Sequence, residues 1–270
     1  MRDDLLPVLA CPVCAEPLGR VDPGQVGCAN GHRFDEAKQG HLTLLPAKRR
    51  ALTADTPEMV DARIRFLGRG HYAPVERALA AVVAEATAPG IVLDVGSGPG
   101  TYLAHALRAA AGRRGVALDL SAVAIRRAAR VHERAGAVVG DVTERLPVVD
   151  GAAAVLLDVF APRNQSEYAR VLHPDGLLVV VTPRTGHLAE LAEATISVDP
   201  EKERRLRDSL TPSFVQRSSE DLTWTMDLSA EDVHDVVHMG PSHHHVSADV
   251  VFTPAAVTAA VTVSTWASAR

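Results

Sequence analysis

Val92-Leu93-Asp94-Val95-Gly96-Ser97-Gly98-Pro99-Gly100 is an apolar strand that runs into a glycine loop opening a helix. Gly96 and Gly98 permit positive φ and a close approach of backbone to a ligand, and open α/β sheets bind ligands at the carboxyl ends of parallel strands. The dinucleotide spacing Gly-x-Gly-x-x-Gly fails, because the third glycine is Gly100 rather than residue 101. Asp94, two residues before Gly96, is instead the acid that S-adenosylmethionine enzymes use around the amino acid moiety of their cofactor. Asp119 closes the next strand, placed to accept from both ribose hydroxyls of a nucleoside, as an acid there also does in NAD enzymes. Asp141, in Val139-Gly140-Asp141-Val142, can take an adenine amino group. Three acids ending three successive strands, with Asp94-x-Gly-x-Gly, favour S-adenosylmethionine over NAD. Ser97, Gly100, Leu120 and Val142 complete the expected cofactor contacts. Taken singly, Asp119 or Asp141 also suits a helix cap or a turn.

Outward from this loop, short apolar strands are expected at 91–95, 116–120, 137–139, 152–158 and 177–182, alternating with helices at 102–111, 122–134 and 167–172. That alternation predicts a doubly wound sheet with helices on both faces. Residues 222–228 and 257–266 alternate in polarity and are joined through a helix at 230–237, as in a terminal antiparallel pair. Trp224 and Trp266 fall within these strands and are expected in the core rather than as base-stacking surfaces. Upstream, Pro57 after Thr56 suits the first turn of a helix, broken at Gly68, Gly70 and Pro74 before a second helix over 75–86. The charge-rich stretch 199–216 is expected as a solvent-facing helix, with a lid role open. His243-His244-His245 is expected as a polar loop, since adjacent residues of an extended chain do not converge on one ion.

All three cysteines lie near the start, as Cys11-Pro-Val-Cys14 and Cys28, with His32 four positions later. This spacing suits two knuckles closing on one tetrahedral zinc ion. A disulfide or thioredoxin-type motif would need a flanking βαβ pattern and would leave Cys28 without a role. With four protein ligands, such a metal folds its segment rather than doing chemistry.

The chain has 270 residues, 47% hydrophobic and 23% charged, which excludes a disordered or fibrous protein. No apolar run reaches the roughly 18 residues of a membrane span, and Met1-Arg2-Asp3-Asp4 lacks the order of a signal peptide. A cytoplasmic protein without a membrane partner is expected. The net charge of −5 argues against a nucleic-acid binder, yet ten Lys/Arg stand against nine Asp/Glu before residue 76, so the acidity belongs to the later part. Lys48, Arg49 and Arg50 form a run, followed by Arg63, Arg65 and Arg69, which suit either phosphate contacts or a solvated surface.

Together these residues resemble the RlmA-type 23S ribosomal RNA guanine-N1 methyltransferases, including their tylosin-resistance branch. The resemblance rests on Cys11-Pro-x-Cys14 with Cys28 and His32; Phe34-Asp35-x-Ala37-Lys38-x-Gly40; and Asp55-x-x-Glu58-Met59-Val60-x-Ala62-Arg63. It continues through Phe66-Leu67-x-x-Gly70-His71-Tyr72-x-Pro74, the glycine loop, Phe160-Ala161-Pro162 and Met239-Gly240-Pro241-Ser242. It implies an α/β chain: a zinc-binding RNA-recognition module (1–46), a helical linker (47–89) and a Rossmann-like S-adenosylmethionine domain with a seven-stranded mixed sheet (90–270). It further implies a 23S rRNA hairpin as substrate, a homodimer, Tyr72 among the cofactor contacts, and Lys38, Lys48, Arg49, Arg50 and Arg63 against phosphate. Guanine N1 carries a proton that a base must remove, and Asp158 and His71 are the candidates. A small-molecule methyltransferase that keeps the zinc module as structure, and a non-enzymatic RNA-binding module, remain as rival readings.

Overall fold

The N-terminal segment is too short to close a core of its own and folds as small units tied to something larger. A 3₁₀ turn, Asp3–Val8, is followed by β1 (Gly19–Asp22), β2 (Gln25–Gly27) and β3 (Arg33–Asp35), an antiparallel three-stranded ribbon. Leu5, Leu6 and Leu9 are fully buried, not within the ribbon but against the large sheet that follows. The computed structural model describes residues 1–45, 54–192, 202–240, 243 and 250–269. Lys48, Arg49, Arg50, Pro241, Ser242, His244 and His245 lie outside the described residues.

Next come β4 (Leu42–Thr43), α1 (Pro57–Gly68), α2 (Ala73–Glu85), β5 (Ile91–Val95), α3 (Thr101–Ala109), β6 (Gly115–Asp119), α4 (Ala122–Ala128) and β7 (Ala135–Val139). Beyond them run β8 (Ala153–Val159), α5 (Gln165–Val171), β9 (Leu172–Pro183), α6 (Lys202–Leu210), β10 (Phe214–Leu228), α7 (Ala230–His238) and β11 (Ala255–Ser268). Thr56 caps α1 through its hydroxyl, with Pro57 in the first turn, and Ser229 with Asp232 forms a capping box on α7.

The large sheet has the order β10-β11-β9-β8-β5-β6-β7-β4, so it holds eight strands rather than the seven expected. The added strand is β4, which pairs in parallel with β7 through Leu42 and Thr43. Two residues are too few for a periodic signal, so only the long-range pairing reveals it. Two further expectations shift. The helix over 122–134 stops at Ala128, and β10 starts at Phe214 rather than 222 because its pairing with β11 carries on through polar, exposed edge residues.

Side chains alternate across the sheet. Val92, Ala117, Val155, Leu157 and Val179 face a core built with α1, α2, α3, α4 and α7. Leu93, Val116, Leu156 and Val180 face a second core shared with α5, α6, the 3₁₀ turn and Val26 and Cys28 of the ribbon. The zinc segment thus occupies a place on the second face that a helix would otherwise cover. Trp266 is buried, and Trp224 donates its indole N–H to the carbonyl of His71 at 2.9 Å, so both tryptophans pack inward.

Candidate active site and metal centre

Two backbone knuckles bring the metal ligands together. Ala15 adopts φ +64° and its N–H returns to the Cys11 carbonyl at 2.9 Å, while Gly31 at φ +86° donates to the Cys28 carbonyl at 3.0 Å. The Nδ1 atom of His32 lies 3.6, 3.4 and 3.4 Å from the sulfurs of Cys11, Cys14 and Cys28, and Cys14 and Cys28 are 3.6 Å apart. A tetrahedron with zinc–sulfur and zinc–nitrogen bonds of ordinary length has edges of about 3.5–3.8 Å, so this cluster fits the ion, and a sulfur–sulfur bond is absent. A Glu16 backbone hydrogen bond leads the influences that bring the Cys14 thiol down to about 6, favouring the thiolate a metal needs.

At the carboxyl ends of β5, β6, β7 and β8 lies a cavity of about 490 Å³. The glycine loop forms one wall. Gly96 at φ +65° and Gly98 at φ +53° hold backbone conformations that suit glycine, and a Cβ on Gly96 would stand 2.5 Å from Ala161. Asp119 ties this wall to the start of α4, accepting from the N–H of Gly98 at 2.8 Å and of Ser121 at 2.7 Å. Burial pushes its carboxyl up, against the pull of those two amides. Asp141 accepts from the N–H and hydroxyl of Thr143 at 2.9 and 2.6 Å, with Val142 and Leu120 alongside.

Asp94 sits below the loop, only 1% exposed. Burial first, then the charge of Asp119 and of Asp158, pushes its carboxyl up to about 8, and its Oδ2 has no hydrogen-bond partner. A buried carboxylate oxygen without a donor is costly, and an ammonium group would supply the donor. The residues therefore fit S-adenosylmethionine: Asp94 for the ammonium, the loop amides for the carboxylate end, Asp119 for ribose and Asp141 for the adenine edge.

The two base candidates lie elsewhere. Residue parity puts Asp158 on the opposite face of β8 from Leu157 and Val159, where the hydroxyl of Tyr168 donates to it at 2.8 Å, so it is fully buried beneath α5 and does not line the cavity. His71 packs on Phe66 and places Nε2 3.0 Å from Asp232, again away from the cavity. Neither side chain lines the cavity, and the direction in which the backbone points each is the reason. Tyr72 does line the cavity, with its hydroxyl 3.3 Å from His187 Nε2.

The basic stretch of α1 is spent on an internal tie. Arg65 donates to both oxygens of Asp235 at 3.0 and 2.6 Å, and Arg69 reaches Glu231, Asp232 and Asp235 at 2.9, 3.0 and 3.1 Å. These ion pairs clamp α1 to α7. Arg63 turns into the cavity, where Asp55 lies 2.6 Å from Nη1 and the Met239 carbonyl accepts from Nε at 3.1 Å and from Nη2. Lys38 is exposed in a turn after β3. The charged helix α6 buries Leu206 and Leu210 in the second core, and none of its described residues lines the cavity.

Two cavity residues were not among the expected site residues, although Phe160 belongs to the Phe160-Ala161-Pro162 motif of the resemblance. His187 follows β9, and its Nδ1 accepts from the N–H of Ala260 at 3.1 Å, which leaves the ring proton of the neutral imidazole on Nε2, facing Tyr72. Phe160 stands at φ +57°, its N–H held by the Val181 carbonyl at 3.1 Å, and projects a 40% exposed ring into the cavity. A left-handed bulky residue is strained and persists where surrounding structure holds it.

Residues 9–51 match the zinc-ribbon family model described as "RlmA, N-terminal", and residues 92–176 match that of a "Methyltransferase domain". The 23S rRNA (guanine(748)-N(1))-methyltransferase of Streptomyces fradiae is 46% identical over 256 residues, spanning 92% of this chain and 90% of that protein. The chain belongs to the 23S rRNA (guanine-N1)-methyltransferase family. A Micromonospora griseorubida relative, "Putative 23S rRNA (guanine-N(1)-)-methyltransferase", is 43% identical and spans 97% of this chain and 93% of its own. A solved structure, "Complex between the Haloferax volcanii Trm112 methyltransferase activator and the putative methyltransferase", shares the fold at a TM-score of 0.53 and 17% identity, over 81% of this chain and 100% of that one. As a member of this family the chain is an S-adenosylmethionine-dependent methyltransferase with a structural zinc ribbon.

Proposed function

We propose that this enzyme methylates N1 of a guanine in a hairpin of 23S rRNA, with Phe160 as the observation that carries the reading. A flat, exposed ring held in strained backbone beside the glycine loop suits a base taken out of its stack, and N1 is accessible only when the Watson–Crick edge is free. The bound cofactor supplies a methyl group on a sulfonium, open to attack. The protein's part is to hold that group with Asp94, Asp119, Asp141 and the loop amides, and to hold the base edge towards it against Phe160. The N1 proton must leave as the methyl group arrives, and neither Asp158 nor His71 lines the cavity.

The zinc ribbon belongs to the same reading as the RNA grip. Lys38 stands exposed on it, and the segment shares a core with the sheet, so a hairpin held by the ribbon is held in register with the cavity. A division into 1–46, 47–89 and 90–270, a homodimer, action in the cytoplasm and lowered susceptibility to tylosin-type macrolides complete the proposal. The test is methyl transfer from labelled S-adenosylmethionine to protein-free large-subunit RNA, with the base mapped as a reverse-transcription stop. A stop made by the wild type and lost in Asp94→Ala supports the reading. Cofactor binding without label in RNA overturns it in favour of a small-molecule substrate.

A further inference from the structure

Arg63 is the one Lys or Arg among the described residues lining the cavity, whose other ionisable walls include Asp55, Asp119 and Asp141. S-adenosylmethionine carries two positive centres, an ammonium and a sulfonium, and one negative group, its α-carboxylate. Acids suit the first two, and one cation remains for the third. The position agrees with the charge. A Cβ built on Gly98 would stand 2.8 Å from Arg63 Nη1, so the guanidinium leans on the part of the loop where glycine leaves room.

Its fork is already oriented before any ligand arrives. The Met239 carbonyl takes Nε–H and one N–H of Nη2, and Asp55 faces Nη1, leaving two of the five guanidinium donors for a ligand. An arginine fixed in this way loses little rotamer freedom on binding and presents a planar pair of donors to a carboxylate. An RNA phosphate, by contrast, meets a protein at its surface, and this side chain is 23% exposed, turned inward between α1 and the end of α7.

We propose that Arg63 is a cofactor-specificity residue that receives the α-carboxylate of S-adenosylmethionine, and that it is not an RNA phosphate contact. Through Met239 and Asp55 it also makes the end of α7 and the chain leading into α1 part of the cofactor wall. The proposal rests on the reading of the cavity as the cofactor site, and the test separates the two.

The experiment is calorimetric titration of the full chain with S-adenosylmethionine and with decarboxylated S-adenosylmethionine, which keeps the amine, sulfonium, ribose and adenine. The wild type is expected to bind the decarboxylated compound about 10- to 100-fold more weakly, the size of one charge-assisted pair. Arg63→Gln is expected to weaken S-adenosylmethionine by a similar factor and leave the decarboxylated compound unchanged, while Arg63→Lys recovers part of the preference. RNA affinity and its salt slope should not move in Arg63→Gln. Retention of the preference in Arg63→Gln, or a salt slope reduced by about one with cofactor binding intact, overturns the proposal. Equal binding of both compounds by the wild type, a result independent of whether any variant folds, overturns the role of Arg63 alone. Binding of neither overturns the cofactor reading with it.

Discussion

The zinc ribbon and the cavity are both made of loops at strand ends, yet they are assembled on different length scales. All four metal ligands lie within residues 11–32, brought together by two local turns and confirmed by their mutual distances. The cavity draws on the ends of four parallel strands, α1, α7 and the segment after β9, with contacts such as Arg63 to Met239 spanning 176 positions. A local site depends on spacing and one ion; a distributed site depends on the sheet being formed. The two are nonetheless joined, since Leu5, Leu9, Val26 and Cys28 share a core with Leu93, Val116 and Val138.

That junction is open to attack from the ribbon side, where the largest effect is expected. Cys28→Ser should abolish zinc binding, of the order of 10 kcal/mol in small zinc modules, and because the core is shared it should lower the melting temperature of the whole chain. Zinc content by atomic absorption and a calorimetric scan check this. An unchanged main transition would show the ribbon to be an appendage and break the picture of a joint core.

From the cavity side, Phe160→Ala should leave zinc content and cofactor affinity in place and lower kcat/KM on RNA by about 10- to 100-fold, the value of one base–aromatic stack. Equal activity would move base recognition away from this loop. Next in size is the tie between α1 and α7. Asp235→Asn removes the partner of Arg65 and Arg69, both partly exposed, and should cost about 1–2 kcal/mol in urea unfolding.

Acids in the two parts of the catalytic domain should respond to pH with opposite sign. Asp232 is buried, which raises its pKa, but Ser229 and His71 hold it down to about 2. Its folded value lies below the unfolded one, so its stabilisation is present above about pH 4 and lost as pH falls towards 2. Asp94 is pushed up to about 8, so the folded apoprotein holds the extra proton and its contribution declines as pH rises from about 4 to 8. Because the carboxylate must meet an ammonium, and the ligand's own α-amino group loses its proton in the same range, cofactor affinity should instead pass through a maximum near about pH 8. A flat affinity profile in calorimetry would remove Asp94 from the cofactor site.

Much of this was legible in residues 92–100 and 11–32, where spacing, strand-end acids and glycines each state a local requirement. The parallel strands and the helices between them follow from hydrophobic runs and the breaks around them. Sequence reasoning did not place the side chains of Asp158 and His71, whose residue types suit a base but which point away from the cavity, or those of Arg65 and Arg69, whose charges are met by α7. No periodicity shows which partner a side chain will meet across 160 or more positions. His187 was missed for the same reason, since a lone histidine after a strand leaves no pattern, while Phe160 stood in a quoted motif whose positive φ and place in the cavity only the structure shows.

The sequence by itself determined a zinc ribbon, a methyltransferase sheet and a glycine loop with its three acids, because each is specified by short-range spacing and by the alternation that backbone geometry imposes. Only the tertiary structure decided that β4 of the N-terminal segment joins the main sheet, that the basic helix α1 is clamped to α7, and that Arg63 faces the cavity. Those outcomes depend on which faces become buried when distant segments pack, and burial decides whether a charge is a surface contact, an internal tie or a ligand.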